Sequence, residues 1–340
     1  MKVDFVCTSG SPIGVTPMRI ETGVGGAELA LMTLAEVLAK RGHQVSIFNN
    51  PVQTGNYDGV QYSPLSLFNA GEDRDAVVAF RTPYGSIGSA KGKKIFWSCD
   101  QQTSGNFKFD IFPRVDQIIV ISPYHFQYFI DRYQADPNKM LCVGLGVRTW
   151  EYEAPVAKIP YQMLYCSVPL RGLGVLRSCW DGIISRVPQA TLKITFDYRL
   201  WGFSPGVEEY RLTWAGVPGV EYAGGVPRAA LVRLQLESEV QPYPCTYDEL
   251  FCISVAECQV AGCIPVTSTI GALATTNLYG TQIPGDPKSG EWQARFVDAV
   301  CGTLLHRDAI VKHADLCRST ARTSFDWNKI AMVWEELVLK

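Results

Sequence analysis

The feature that most limits what this chain can fold into is a series of short apolar runs that barely alternate. Lys2-Val3-Asp4-Phe5-Val6-Cys7, Gln44 to Phe48, Ala76 to Phe80, Lys94 to Trp97 and Gln117 to Ile121 each read as a strand with apolar side chains on both faces. Strands covered on both faces belong to parallel sheets with helices above and below. A long periodic segment from about Gly25 to Arg41 separates the first two. Its Ala27, Leu31, Leu34, Ala35 and Leu38 share one helical face, and Gly42 stops it. The chain therefore opens as strand, loop, helix, strand.

The pattern starts again after Gly144-Leu145-Gly146-Val147-Arg148, beyond a connection holding Pro155 and Pro160. Tyr161 to Cys166, Leu192 to Phe196, Val220 to Tyr222, Ser238 to Gln241 and Cys263 to Thr267 supply a second set of strands. A chain of 340 residues has room for about two domains. The expected fold class is α/β, with two Rossmann-like doubly wound domains. Residues 1–150 form the first, 151–322 the second, and 323–340 a closing helix with Ile330, Val333, Trp334 and Leu337 on one apolar side.

Composition removes several alternatives. With 47% apolar and 19% charged residues, 30 Gly and 20 Pro, the chain is neither disordered nor fibrous. Its 31 Lys and Arg against 33 Asp and Glu leave net −2, so no nucleic-acid-binding face is expected. The 11 cysteines are scattered through apolar stretches, as in Phe5-Val6-Cys7 and Met140-Leu141-Cys142-Val143, and read as buried thiols. Cys252, Cys258 and Cys263 lack paired spacing and a nearby His, and His43, His125, His306 and His313 form no triad or ligand spacing, so no metal site is expected. Asp4 interrupts any secretory apolar region, no apolar run approaches the roughly 18 residues of a spanning helix, and N-x-S/T sequons are absent, which together predict a cytoplasmic protein. The aromatic run Tyr124 to Tyr133 reads as a core face and Lys91-Gly92-Lys93-Lys94 as a solvated turn; contact with a membrane surface stays open.

The chemistry lies in the stretch from Tyr243 to Val266, where a strand end, a loop, a helix and another strand succeed one another. Glu249 falls in the loop and Glu257 inside the helix, with backbones roughly 9 to 12 Å apart at helical rise. Two carboxylates acting on one glycosidic bond stand about 5 to 9.5 Å apart, but loop and helix-interior positions aim these two at different parts of a ligand. An elongated ligand fits better, with hydroxyls at both ends and phosphates at the helix start between them. A nucleotide sugar has that layout: Glu257 accepts from the ribose and Glu249 from the sugar. Dipole complementarity at Glu249, or a solvated helix face at Glu257, explains either residue singly but not the pair.

The E-x7-E spacing followed by Ala261-Gly262-Cys263-Ile264-Pro265-Val266 resembles the signature of the retaining family-four, glycogen-synthase-like (group 1) glycosyltransferases of GT-B fold. Further segments extend the likeness over nearly the whole chain. Gly23-Val24-Gly25-Gly26-Ala27-Glu28 is similar to the family's glycine loop and first helix, Asp136 to Val147 to its passage between domains, Tyr222 to Arg228 to the segment before the donor site, and Phe325-Asp326-Trp327 to the start of a helix that packs back on the N-terminal domain.

The resemblance implies a transferase that moves a sugar from a nucleotide-diphosphate donor to a hydroxyl acceptor, glycan, lipid-linked or small, in a cleft faced by both domains. It implies Arg171 on the diphosphate, Gly25 and Gly26 close to the phosphates, Phe251 and Cys252 at the head of the donor helix, and Gly271, Ala272 and Leu273 cupping sugar and phosphate. Configuration is then retained, the leaving diphosphate helps deprotonate the acceptor, and neither protein nucleophile, metal nor separate cofactor is needed. Three departures stand out: Ala272 followed by Ala274-Thr275-Thr276 in place of a glycine pair and a later acid, Cys166-Ser167 in place of Gly-Arg, and Asp100 where relatives carry a His near a strand end. Asp100 is the candidate there for contact with sugar or acceptor. The main alternative is a nucleotide-sugar-binding protein without turnover. A nicotinamide-dependent oxidoreductase is disfavoured, since Gly23, Gly25 and Gly26 do not make G-x-G-x-x-G and Asn49-Asn50 stand where an acid is wanted for the ribose.

Overall fold

Buried strands alternating with helices build two parallel sheets, one in each of the two units into which the chain divides. The computed structural model describes residues 1–8, 10, 12–15, 23–101, 111–196 and 207–340. The first unit holds the described N-terminal residues, Val24–Gly146 and Trp327–Lys340; the second holds Val147–Asp326.

In the first unit, β1 (Lys2–Val6) leads into α1 (Gly26–Lys40), and the chain continues through β2 (Gln44–Asn49), β3 (Gly55–Tyr57), β4 (Val60–Pro64), β5 (Ala76–Phe80), β6 (Lys93–Trp97), β7 (Gln117–Val120), α2 (Pro123–Tyr133) and β8 (Met140–Cys142). The sheet order is β3-β4-β2-β1-β5-β6-β7-β8, parallel except for β3 against β4. Phe5 pairs with Ile47 on one side and Val78 on the other, so the most apolar strands lie at the centre. The one acidic residue of β1, Asp4, is buried and held by Arg74 Nε at 2.6 Å, which explains how a carboxylate survives there.

The closing segment, Trp327–Lys340, returns to the first unit and supplies α10 (Trp327–Val333) and a π-helical turn at Trp334–Val338. Trp334 lies 5.0 Å from Trp97 and 6.4 Å from Phe5, ring centroid to centroid. Here the expected apolar side fails in part. The wider turn adds a residue, so Val338 is buried and Leu337 is exposed. The expectation that the cysteines are buried also fails at Cys142, which the edge strand β8 turns outward, and in part at Cys99 and Cys166, which are half-buried.

The second unit runs β9 (Gln162–Tyr165), α3 (Leu173–Arg186), β10 (Thr191–Ile194), α4 (Val207–Trp214), β11 (Val220–Tyr222), α5 (Arg228–Glu237), β12 (Val240–Tyr243), α6 (Ile253–Val260), β13 (Ile264–Ser268), α7 (Leu273–Thr276), β14 (Thr281–Ile283), α8 (Gly290–Leu305) and α9 (Arg307–Ser324). That is seven α-helices among the described residues of this unit, α3 to α9, and its sheet is wholly parallel in the order β11-β10-β9-β12-β13-β14. Its core gathers Trp180, Trp214, Trp292 and Phe296 with the apolar strand residues. Among the described residues, no helix is long and apolar enough to cross a membrane.

Both sheets have the property that matters most for function. The chain builds outward from the first strand, then returns to the other side of it. In the first unit this reversal lies between β1 and β5, in the second between β9 and β12. Loops at the carboxyl ends of such neighbouring strands diverge and leave a crevice where doubly wound proteins bind ligands.

Candidate functional site

At the reversal in the second unit, the loop after β9 carries Arg171 and the loop after β12 carries Glu249. The two side chains meet: Arg171 Nη1 donates to Glu249 Oε1 at 2.9 Å and Oε2 at 3.0 Å. Tyr243 at the end of β12 donates its hydroxyl to Glu249 Oε1 at 2.6 Å and accepts from Ser167 Oγ at 3.0 Å. The Arg171 guanidinium also lies over the Tyr247 ring at 4.5 Å. Burial opposes its charge, but the facing Glu249 carboxylate, together with smaller contributions from the groups around it, raises its pKa overall. Burial, followed by the Glu249 charge, pushes the Tyr243 phenol well up, so it stays a neutral donor.

The backbone around Glu249 is strapped to the loop at Gly271. Ala272 N donates to Glu249 O at 2.6 Å. Gly271 has φ +60°, and a Cβ there would lie 2.6 Å from the Glu249 nitrogen, so only glycine permits this approach. Leu273 follows as the buried first residue of α7. Cys252 caps α6 with φ +73°, and the neighbouring Phe251 ring packs edge-on against Phe325. The structure thus brings Arg171, Glu249, Phe251, Cys252, Gly271, Ala272 and Leu273 onto the same loops at one sheet edge.

Glu257 is buried rather than a solvated helix position. Arg228 Nη1 lies 2.7 Å from its Oε1 as an ion pair without hydrogen-bond alignment, and Gln235 Nε2 donates to its Oε2 at 3.1 Å. The same guanidinium donates from Nε to Glu151 at 2.8 Å and from Nη2 to the Tyr152 hydroxyl at 3.2 Å; that hydroxyl donates to Gln235 Oε1 at 2.7 Å. Burial works against the Arg228 charge, and Glu257, Tyr152 and Glu151 more than restore it.

The first unit carries its own polar cluster at its reversal point. Arg81, directly after β5 and left-handed at φ +61°, donates to Asp100 Oδ2 at 2.7 Å and Oδ1 at 3.1 Å, and its Nη1 donates to Glu28. Glu28 in the first turn of α1 folds back over Gly25, whose missing Cβ would collide with that carboxylate. The space freed by Gly25 is therefore filled by a carboxylate of this chain, while Gly26 begins α1. Behind Asp100, His125 Nδ1 accepts from Ile121 N at 3.2 Å, which leaves the proton on Nε2 facing Ser98 Oγ at 3.4 Å; Ser98 Oγ donates to Asp100 O at 3.3 Å. Burial lowers the His125 pKa to about 3, so the ring is neutral.

Sequence reasoning missed Arg81, Tyr243, Arg228 and Tyr152. A charge directly after a wholly apolar strand, as at Arg81, was the available signal, since in a parallel sheet it must fall at the carboxyl edge. Nothing in the spacing announced that Arg228 would reach Glu257. Among the described residues, no group of three or more His, Cys, Asp and Glu could hold a metal ion.

No family model matches the sequence, and no curated protein matches it either. Solved structures do match. Sucrose-phosphate synthase from Thermosynechococcus elongatus is 15% identical with a TM-score of 0.70, over 99% of this chain and 98% of that one. HepE from Anabaena, solved in complex with UDP-glucose, is 15% identical with a TM-score of 0.72 over the same shares. The catalytic domain of starch synthase IV from Arabidopsis thaliana, bound to ADP and acarbose, is 10% identical with a TM-score of 0.70, again over 99% and 98%. These likenesses establish the fold, the two Rossmann-like domains of GT-B glycosyltransferases.

Proposed function

We propose that the protein is a glycosyltransferase that takes a nucleotide-diphosphate sugar and transfers the sugar, with retained anomeric configuration, to a hydroxyl acceptor. The observation that carries the reading is the convergence of Arg171 and Glu249 at the β9/β12 reversal, beside the start of α6. A fork of N–H donors and a helix N-terminus suit a diphosphate, and a buried carboxylate four residues before that helix suits sugar hydroxyls. The neighbours in complex with UDP-glucose and with ADP support the same donor class.

In this reading donor binding moves Arg171 from Glu249 onto phosphate oxygens. The bond from the anomeric carbon to the diphosphate breaks, the acceptor oxygen bonds to that carbon, and the acceptor proton passes to the departing diphosphate. Arg171 neutralises charge that grows on the leaving group, which is the kind of interaction that lowers a barrier rather than merely binding. Glu257, with Arg228 and Gln235 fixing its two oxygens, retains lone pairs for the ribose hydroxyls. Asp100, held by Arg81 at the first unit's reversal point, is the residue assigned to the sugar or acceptor in this reading. No metal is required.

Thermal shifts with UDP, GDP, ADP and their sugars identify the donor, because a ligand of the folded state raises its melting temperature. Transfer of labelled sugar then tests turnover. Glu257→Ala is expected to weaken nucleoside diphosphate binding; Glu249→Ala is expected to spare it and abolish transfer. Absence of a shift with every nucleotide overturns the reading, binding without any transfer or hydrolysis reduces it to a nucleotide-sugar binder, and activity lost to EDTA overturns metal independence.

A further inference from the structure

We propose that Cys166 and Cys258 form a redox-reactive dithiol that closes to a disulfide and thereby disables the nucleotide end of the second unit. Cys166 directly follows β9, and Cys258 lies in α6 next to Glu257 in sequence. Their sulfurs are 3.9 Å apart. Cys166 is partly exposed, whereas Cys258 is fully buried. Two side-chain amides point at the Cys166 sulfur, Gln241 Nε2 at 3.7 Å and Gln235 Nε2 at 4.0 Å. Gln235 also holds Glu257, so the thiol shares a hydrogen-bonding partner with the carboxylate assigned above to the ribose.

The pair fits oxidation by a small disulfide of the glutathione class. Cys166, the accessible partner, attacks one sulfur of that disulfide as its thiolate, and the small molecule's S–S bond breaks. One small thiolate leaves and takes up a proton, and Cys166 is held in a mixed disulfide. Cys258 then attacks the Cys166 sulfur, its thiol proton passing to the second departing thiolate. Two electrons have moved from the protein pair to the small disulfide, and two small thiols have been released. Burial keeps the Cys258 thiol protonated until this step, which suits a resolving rather than an initiating role.

Bridging has a structural consequence. A disulfide needs its sulfurs about 2.05 Å apart, so the gap must shrink by about half. The elements drawn together are the loop through Ser167, which holds Tyr243 and through it Glu249, and the helix that carries Glu257. A displacement of about 1 Å in such positioning groups is enough to change binding or turnover by about 100-fold. This consequence rests on the functional reading above; the disulfide itself does not.

The experiment uses the full chain, reduced with dithiothreitol or oxidised with oxidised glutathione. Peptide mapping is expected to recover a Cys166–Cys258 link in the oxidised sample only, and Cys166→Ser and Cys258→Ser, folded by their melting curves, are each expected to abolish it. The nucleotide that shifts the melting temperature of the reduced protein is expected to lose that shift on oxidation and regain it with dithiothreitol, while Cys258→Ser keeps it throughout. Absence of the link, or a link that leaves the shift intact, overturns the proposal. A link formed in a protein that no nucleotide stabilises when reduced refutes the nucleotide reading and, with it, the consequence for binding.

Discussion

Removing Arg171 alone is expected to destabilise the second unit more than removing it together with the charge of Glu249. The Glu249 side chain is 5% exposed and that of Arg171 is 27% exposed. In Arg171→Met the buried carboxylate keeps the Tyr243 hydroxyl but no counter-charge. Two unit charges about 4 Å apart attract by about 4 kcal/mol at an effective dielectric near 20, and water entering the half-open Arg171 side recovers some of that. A net loss of about 3 kcal/mol follows, at the lower end for breaking one side of a buried pair. Adding Glu249→Gln removes the stranded charge while preserving an acceptor for Tyr243, and returns about 2 kcal/mol. Urea unfolding combined with hydrogen exchange at the β12 amides measures this cycle locally. The sign is the discriminating result: if Glu249→Gln deepens the loss caused by Arg171→Met, the two groups are not compensating charges. On the proposed function, turnover is not restored in the double variant, since neither residue can then serve the donor.

Three other outcomes follow from the same geometry. His125, with a folded pKa near 3 against an unfolded value near 6.5, stabilises the fold fully above about pH 6.5 and loses that contribution as pH falls toward 3; between pH 8 and pH 5 the loss is about 2 kcal/mol, and an unchanged slope in His125→Asn refutes it. Gly271→Ala forces a Cβ against the Glu249 backbone at positive φ, so a loss of about 2 to 4 kcal/mol is expected in denaturant melts, and a neutral substitution shows that the loop yields. Glu257→Gln leaves the buried Arg228 with Glu151 as its remaining carboxylate, and is expected to lower stability by about 2 to 3 kcal/mol and to weaken nucleotide-induced thermal shifts; a shift of full size assigns the ribose elsewhere.

The central strands of both sheets were readable because burial on both faces writes itself as a local apolar run: Ala76–Phe80 falls where the pattern places it, and Gln162–Tyr165 lies within the expected Tyr161 to Cys166. The strand expected at Ser238 to Gln241 instead spans Val240–Tyr243, with Pro242 inside it, a residue that local propensity excludes from strands. The hairpin β3–β4, and the edge strands β8 and β14, were not read at all. All four are only partly buried, and β3, β8 and β14 have a single neighbour in the sheet, so tertiary pairing defines them more than composition does. At the C-terminus the helical period predicted Leu337 on the buried side, and a single π-turn was enough to exchange it with Val338.

The site divides along the same line. Where a candidate side chain stands is fixed locally, by the end of a strand and the start of a helix, and the positions of Arg171, Glu249 and Glu257 on loop and helix were legible for that reason. What each one touches is fixed by the order in which strands pair, which brings Arg171 to a partner 78 positions away and Arg81 to partners 53 and 19 positions away. Charge in a buried crevice must be balanced within it, so each isolated carboxylate in a sequence of this kind implies an unseen cation at a neighbouring strand end. For Glu249 that cation is the residue already expected on the diphosphate, which makes the ion pair and the donor competitors for one guanidinium. Replacing one with the other needs little reorganisation, because the carboxylate keeps Tyr243 as a donor while Arg171 moves.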